Sequence, residues 1–150
     1  MRRYMRGVAA VEFAILAIPL VTLAFGITEI GRAIYSYNTL VKSVRDAARF
    51  LTSQAPGDPT KHAMAKSMAV YGAPNCTGCA PLASGLTTGM IQTCDSALPC
   101  EGVTNTLPTG SGIIKTVTVR IVGYPYNSLV EFVVSDMNFN NISITMRSHL

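Results

Sequence analysis

The sequence comprises 150 residues, of which 49% are hydrophobic and 13% are charged, and its mean hydropathy of +0.33 is high for a water-soluble protein of this size. This length provides for one folded unit with a core and leaves little room for a second. Most of the net charge of +4 lies at the N-terminus, because after residue 7 only nine basic residues face eight acidic ones, and no basic stripe that could bind nucleic acid remains.

The first predicted element is a membrane-spanning helix in residues 8–28. This stretch reads VAAVEFAILAIPLVTLAFGIT, and Glu12 is its only ionisable residue. At about 1.5 Å per residue it covers about 31 Å, which matches the hydrocarbon core of a bilayer, about 30 Å thick. Arg2, Arg3 and Arg6 precede it. This basic bias predicts a cytoplasmic N-terminus and a periplasmic position for the residues after about 30.

A cleaved secretory signal peptide is the alternative interpretation of this segment, because such peptides also combine a basic start with an apolar run. Ala24 and Gly26 offer only a weak cleavage site. Glu12 favours retention of the segment, because a carboxylate inside an apolar run is costly and is usually functional. As an alternative to such a function, the carboxylate of Glu12 could snorkel to the cytoplasmic headgroups.

The helical pattern continues beyond the predicted span to about residue 53. Apolar residues recur there at spacings of three and four, which predicts an amphipathic helix; they are Ile30, Ile34, Tyr37, Val41, Val44, Ala48 and Leu51. Pro56, Gly57 and Pro59 end the helix. Pro19 lacks an amide hydrogen and predicts a helix kink in the membrane half. One helix over residues 8–53 follows from this pattern.

Residues 7–13, which read GVAAVEF, resemble the processing site of prepilin-like proteins, in which a prepilin peptidase cuts after the glycine. The longer run over residues 7–50 resembles the N-terminal signature of TadE-like proteins. Its most characteristic parts are residues 10–13, Pro19, the EIGR segment at 29–32 and the DAAR segment at 46–49. A weaker match covers residues 145–147, and the middle of the chain has no counterpart.

This resemblance implies a minor pilin, or pseudopilin, which is required for assembly of a Tad or Flp-type pilus used in surface adhesion and biofilm formation. It implies prepilin peptidase cleavage between Gly7 and Val8, with Glu12 and Phe13 as the assembly and processing residues. Cleavage creates an α-amine at Val8, which is largely protonated at neutral pH. In pilin-like assemblies the glutamate is thought to attract this amine on the adjoining subunit, which offsets the cost of both charges in an apolar environment.

The resemblance also implies partners and a division of the chain. The partners are the major pilin, a companion pseudopilin, the prepilin peptidase, an inner-membrane assembly platform and membrane lipid, with no cofactor and no metal. Residues 1–7 are then a leader, residues 8–29 the transmembrane half of the helix, and residues 30–150 a periplasmic head that includes the amphipathic half. The expected location is the inner membrane, with incorporation into an extracellular pilus.

Four cysteines, Cys76, Cys79, Cys94 and Cys100, lie in the loop-rich segment 72–112. Their spacing does not provide the two close pairs of a typical zinc site, and the loop around Cys76 and Cys79 does not fit a thioredoxin-like redox motif. Disulfides are therefore expected in a periplasmic head. Three pairings are open. The two short-range pairs are possible, but long-range pairs would tie the loop to the core better.

The remaining elements are a short helix and a small sheet. Residues 60–71 predict a helix ended by Gly72, and its apolar side contains Ala63, Met64, Met68 and Tyr71. Residues 116–121 and 142–147 alternate between apolar and polar side chains, which predicts two half-buried strands. Residues 129–134 fit either a third strand or a helical turn. Turns are expected at 124–127 and 138–141.

These elements predict an α+β fold in which a long N-terminal transmembrane and amphipathic helix packs on a small antiparallel sheet, similar in outline to pilins. In the alternative arrangement, residues 60–71 cover the sheet and the stripe of the long helix serves subunit packing.

An enzyme is not expected, because His62 and His149 lie in no recognisable nucleophile, metal or phosphate-binding pattern. The alternative to a pilus subunit is a membrane-anchored periplasmic binding module, unrelated to pilus assembly, that uses the segment 72–112.

Overall fold

The computed structural model describes residues 4–140 and 142–149, and the side chains from residue 7 onward. Two helices and six strands form the described chain: α1 (Tyr4–Thr52), α2 (Pro59–Tyr71), β1 (Ile91–Cys94), β2 (Thr106–Thr109), β3 (Gly112–Ile121), β4 (Tyr124–Tyr126), β5 (Met137–Phe139) and β6 (Ile142–Arg147). A single 3-10 turn, Thr88–Met90, precedes β1. The predicted α+β class, with one long N-terminal apolar helix followed by a small antiparallel sheet, is confirmed.

The chain divides into two compact units. The first contains the helix up to Ile34 together with Tyr126–Met137, and the second contains Tyr35–Pro125 together with the residues from Asn138 onward.

Helix α1 is continuous over the predicted range and extends a few residues further at its N-terminal end. The helix continues through Pro19 without a break, and the kink at Pro19 stays a prediction. The hydroxyl groups of Thr22 and Thr28 donate to the carbonyl oxygens four residues earlier, each at 2.9 Å. These two polar side chains are therefore satisfied within the helix itself, as an apolar surrounding requires.

The second unit buries only the later part of the predicted apolar stripe of α1. Burial begins at Leu40 and continues through Val44, Ala47, Ala48 and Leu51. The earlier stripe positions Ile30, Ile34 and Tyr37 remain about half exposed. Burial of α1 in the second unit therefore begins about ten residues after the start of the predicted amphipathic stripe. Periodicity alone could not show where the cover begins.

Helix α2 has the predicted bounds but a different buried face. Asp58 caps its start by accepting hydrogen bonds from the Thr60 and Lys61 backbone, and Gly72 ends it at φ 77°, a left-handed conformation that favours glycine. The buried residues are His62, Ala65, Ala69 and Val70, whereas the predicted side of Ala63, Met64, Met68 and Tyr71 is exposed or half-buried. The prediction favoured the larger apolar side chains, but the small alanines of the buried face allow a closer approach.

Strand β3 is the centre of the sheet. It pairs antiparallel with β1, β2 and β6. The register places Ile91 of β1 opposite Ile121, Thr106 of β2 opposite Lys115, and Arg147 of β6 opposite Thr116. Strands β1 and β2 lie inside the segment predicted as loop, and that prediction was wrong for them. Each has four residues, which is too short for an alternating pattern to stand out among glycine, threonine and proline.

The prediction that β3 is half-buried was also wrong, because residues 116–119 are buried on both faces. Its polar side chains are paired there. The Asn105 side-chain amide donates to Thr118 Oγ1 at 3.0 Å and to the Thr116 carbonyl at 3.1 Å, and the Thr118 and Thr145 hydroxyls lie 2.9 Å apart. Hydrogen bonding thus compensates the burial of the face that was expected to meet water.

Two turn predictions were wrong as well. Residues 124–126 form β4, which pairs with β5, and Asn138 belongs to β5 rather than to a turn. Asn141, the last residue of that predicted turn, lies outside the described residues. Tyr124 is buried and stacks on Phe139 with ring centroids 6.0 Å apart, which accounts for strand structure in a segment that contains Pro125.

The segment 129–134 forms a helical turn, one of its two predicted alternatives, in which the Val133 and Val134 amides donate to the Val130 carbonyl at 2.9 and 3.0 Å.

The disulfides are the two short-range pairs. Cys76 bonds to Cys79 and Cys94 to Cys100, with Cα atoms 5.9 and 5.5 Å apart. The expected advantage of long-range pairing does not apply, because the strand β1 already holds Cys94 opposite Thr118 of β3. The ladder fixes this segment to the core, so the disulfide has only to close the local loop.

A buried polar cluster centred on Asp95 links α2 to the loop after β1. The Asp95 carboxylate accepts hydrogen bonds from the amides of Gly57, Ala97 and Leu98 at 2.6 to 2.8 Å, and from His62 Nε2 at 2.8 Å. Burial by itself would raise the pKa of Asp95, but these hydrogen bonds hold it below its ordinary value. The ionised carboxylate is therefore a stabilising part of the second unit.

Replacing Asp95 by asparagine is expected to lower the free energy of unfolding by about 1 to 2 kcal/mol. The NH₂ group of asparagine cannot accept the hydrogen bonds that one of the carboxylate oxygens of Asp95 now accepts. Since the pKa of Asp95 is lower in the folded state, this stabilisation is present above the unfolded-state pKa and disappears as the pH falls through the folded-state value. Thermal unfolding of the detergent-solubilised chain should therefore show a gap between wild type and Asp95→Asn at pH 7 that closes below about pH 4.

The matched control is Asp46→Asn, which removes an exposed carboxylate from α1. An equal loss of stability in both variants at pH 7 would contradict the role of the Asp95 cluster.

Candidate functional site

The predicted site residues Gly7, Val8, Glu12, Phe13 and Pro19 all lie on the first part of α1. They lie on an exposed helix, with side-chain exposures of 60% for Val8 and 74% for Phe13. An added Cβ at Gly7 would meet nothing within 4 Å. Access to the Gly7–Val8 bond is therefore not restricted by any described part of the chain.

The surface around these residues is apolar on every side. From residue 7 the helix is long and apolar enough to cross a membrane. Its most apolar stretch of 18 residues has a mean hydropathy of 2.3 and contains no buried residue. Large exposed side chains cover the span; they include Val11, Ile15, Leu16, Ile18, Leu20, Leu23 and Ile27. A helix that is apolar all round is stable only when lipid or other protein surrounds it.

Glu12 interrupts this apolar surface. It lies one helical turn beyond Val8, and its carboxylate is exposed. Among the side chains that the structure describes, no basic group forms a salt bridge with it. The arrangement thus presents an acid on an otherwise apolar helix, where a cation supplied from outside the chain could reach it.

A second acid, Glu29, lies at the other end of the apolar span and has the opposite environment. It is only 2% exposed, and Arg32 donates to its carboxylate at 2.6 and 3.3 Å. The Tyr126 hydroxyl donates to the same carboxylate at 2.8 Å, and the Leu129 amide lies 3.3 Å from it. The charge of Glu29 is therefore compensated within the first unit.

Arg32 completes this cluster. Its guanidinium lies over the Tyr126 ring, 4.7 Å from the ring centroid, and it also donates to the Asn127 carbonyl. One local signal indicated the cluster, namely the spacing of three between Glu29 and Arg32 on a helix. Nothing in the local pattern around Tyr126 and Leu129 indicated their participation, because the contacts span about a hundred positions of the chain.

The described part of the chain was found to contain no cluster of metal-binding side chains beside these features. Among residues 4–140 and 142–149, no group of three or more histidine, cysteine or acidic side chains could hold a metal ion. The cysteines are joined in disulfides.

Comparison with known proteins finds a family model that the first third of the chain resembles. Residues 7–49 match the family model described as TadE-like protein, which confirms the resemblance noted in the sequence. The match lies on α1 and includes Gly7, Glu12, Pro19, Glu29 and Arg32. No curated protein and no solved structure matches the chain. The TadE-like match associates the chain with the Tad pilus system.

Proposed function

We propose, from the TadE-like match of residues 7–49, that this chain is a minor pilin, or pseudopilin, required for assembly of a Tad or Flp-type pilus that serves adhesion and biofilm formation. The observation that carries the proposal is the exposed apolar surface of α1 from Val8 to the end of the span, with Glu12 as its only ionisable residue. Lipid covers this surface before assembly, and the helices of neighbouring subunits cover it in the pilus.

In this proposal α1 crosses the inner membrane with a cytoplasmic N-terminus, because Arg2, Arg3 and Arg6 precede the span. The remainder of the chain is periplasmic, which is compatible with two disulfides. The major pilin and a companion pseudopilin are the partners, and an inner-membrane assembly platform inserts the subunit. Glu12 pairs with the α-amine of the adjoining subunit.

We also propose that the chain has no enzymatic activity. Its one histidine–carboxylate pair, among the described residues, is that of His62 and Asp95, which are 6% and 3% exposed. The His62 Nδ1 atom lies 2.8 Å from Thr93 Oγ1, so both ring nitrogens have neighbours inside the fold. This environment supports a structural role rather than contact with a substrate.

Cleavage after Gly7 is tested by the mass of the protein purified from its native membrane. The mature chain is expected to begin at Val8 and to lack all three leading arginines. Gly7→Leu is expected to remain uncleaved. Because a Cβ added at Gly7 would meet nothing within 4 Å, this result would report recognition by the peptidase rather than a folding defect.

Gly31→Leu is the matched control, because Gly31 also lies on α1 and has nothing within 4 Å of an added Cβ. This variant should be processed normally. A native protein that still contains Arg2, Arg3 and Arg6 would contradict the processing proposal, and one that begins near residue 27 would identify a signal peptide instead.

A further inference from the structure

Residues 129–133, here called the apolar loop, expose some of the largest apolar surface outside α1. Leu129 and Phe132 are each 78% exposed. With Phe25 of α1, the apolar loop borders an open groove of about 650 Å³. A turn that carries two such exposed side chains would normally be covered by an apolar surrounding.

The apolar loop is fixed to α1 at the level of the last turn of the span. Its Leu129 amide donates to Glu29 at 3.3 Å. Val133 packs on Gly26, where an added Cβ would lie only 3.3 Å from Val133 Cγ1. Since Gly26 and Glu29 are less than one helical turn apart, the loop lies beside the end of the apolar span, where hydrocarbon gives way to headgroups.

Several backbone amides in and beside the apolar loop are paired within the first unit, which lowers the cost of contact with lipid. Ser128 N donates to Asp136 Oδ1 at 2.7 Å, and Val130 N donates to Ser128 Oγ at 3.2 Å. The amides of Val133 and Val134 donate to the carbonyl of Val130. With the bond from Leu129, these pairs satisfy part of the backbone of the turn, whose outward surface consists of the apolar side chains of Leu129 and Phe132 and the carboxylate of Glu131.

We infer that the apolar loop inserts into lipid at the outer boundary of the membrane, as a second membrane contact beside α1. The occupant is lipid because the exposed surface of Leu129 and Phe132 is continuous with that of Phe25 on the span, which lines the same groove. Glu131 is exposed within the turn, and a position at the headgroups keeps its carboxylate in water. The inference rests on the proposed membrane anchorage of α1.

The chain contains no tryptophan, so Phe132→Trp introduces a single fluorescent reporter at an exposed position. The full chain is reconstituted at a low protein-to-lipid ratio into phosphatidylcholine and phosphatidylglycerol vesicles. The lipids are unlabelled, brominated in the upper part of their acyl chains, or brominated deep in their acyl chains. We expect the tryptophan emission to fall about twofold in the brominated vesicles, because a side chain at the headgroup boundary contacts the quencher.

Two further variants make the result specific. Leu20→Trp reports the middle of the span and is expected to be quenched by lipids brominated deep in their chains. Ile113→Trp replaces a residue of the second unit that is 71% exposed, and it should not be quenched. If Leu20→Trp is quenched and Phe132→Trp is not, the inference fails while the anchorage holds. If Leu20→Trp is not quenched, the anchorage itself fails.

The emission wavelength identifies other occupants of the apolar loop. A blue-shifted emission from Phe132→Trp without quenching by brominated lipid would mean that protein, such as a second copy of the chain, covers the loop. An emission typical of water would mean that nothing covers it. Either result would overturn the inference, as would equal quenching of Phe132→Trp and Ile113→Trp.

Discussion

Replacing Glu12 by glutamine is expected to reduce incorporation of this chain into pili to background while leaving it in the membrane. The substitution keeps the size of the side chain and removes its charge. The α-amine of the adjoining subunit would then enter an apolar environment without a partner. Removing one member of a buried ion pair costs about 3 kcal/mol or more, which corresponds to a loss of at least about 100-fold in the affinity between subunits.

The measurement is the amount of this chain in sheared surface filaments relative to the amount in the membrane fraction. Processing has to be checked in the same samples by mass, because Glu12 lies close to the predicted cleavage position and its substitution could affect the peptidase. A processed Glu12→Gln protein that is absent from filaments separates assembly from cleavage. Glu12→Asp keeps the charge on a shorter side chain and is expected to retain part of the incorporation.

Glu101→Gln is the matched control, because it neutralises an exposed carboxylate in the second unit. It should leave incorporation unchanged. Filaments that contain Glu12→Gln at the level of Glu101→Gln would contradict the proposed role of the acid. They would favour the interpretation in which Glu12 snorkels to the cytoplasmic headgroups.

The sequence predicted the elements with long and regular patterns. The continuous helix α1 and the two longer strands, β3 and β6, follow from periodicities that extend over six residues or more, whereas the end of α2 follows from Gly72. A helix long and apolar enough to cross a membrane was also predictable, because it follows from an apolar run of this length with a single charge. The processing and assembly residues depended on a resemblance, and their roles stay predictions.

Features made by contacts distant in sequence were not predictable from local patterns. The Asp95 cluster needs Gly57 and His62, which reach it only after α2 and β1 have packed. The partners of Glu29 at Tyr126 and Leu129 lie about a hundred positions away. Burial of Thr118 could not be anticipated, because an alternating strand predicts that only its apolar face is buried. Residues distant in sequence bury the other face of β3.

The two disulfides differ in what they hold, and this difference leads to a strong stability prediction. Cys94 is fully buried at the end of β1, directly opposite Thr118 of β3. Its bond to Cys100 closes the loop that contains Asp95. The bond between Cys76 and Cys79 closes a four-residue turn in which Cys79 is exposed. Only the Cys94–Cys100 disulfide therefore closes a loop that the folded core keeps ordered.

Replacing both Cys94 and Cys100 by alanine is expected to lower the free energy of unfolding by about 3 kcal/mol. Loss of a disulfide that closes a loop of this length stabilises the unfolded chain by about 2 kcal/mol, because the chain gains conformational entropy. Removal of the buried sulfur of Cys94 costs about 1 kcal/mol of packing in the folded state. The melting temperature of the detergent-solubilised chain should fall by about 6 to 12 °C, measured by circular dichroism at neutral pH.

The matched control replaces Cys76 and Cys79 by alanine. Loss of this disulfide raises the conformational entropy of the exposed turn by similar amounts in the folded and unfolded states. The expected destabilisation is therefore below about 1 kcal/mol. Reduction of the wild-type chain should reproduce the larger effect, because it opens both disulfides. If the two double variants melt at the same temperature, the order of the loop around Asp95 does not depend on the Cys94–Cys100 bond, and strand pairing with β3 alone accounts for it.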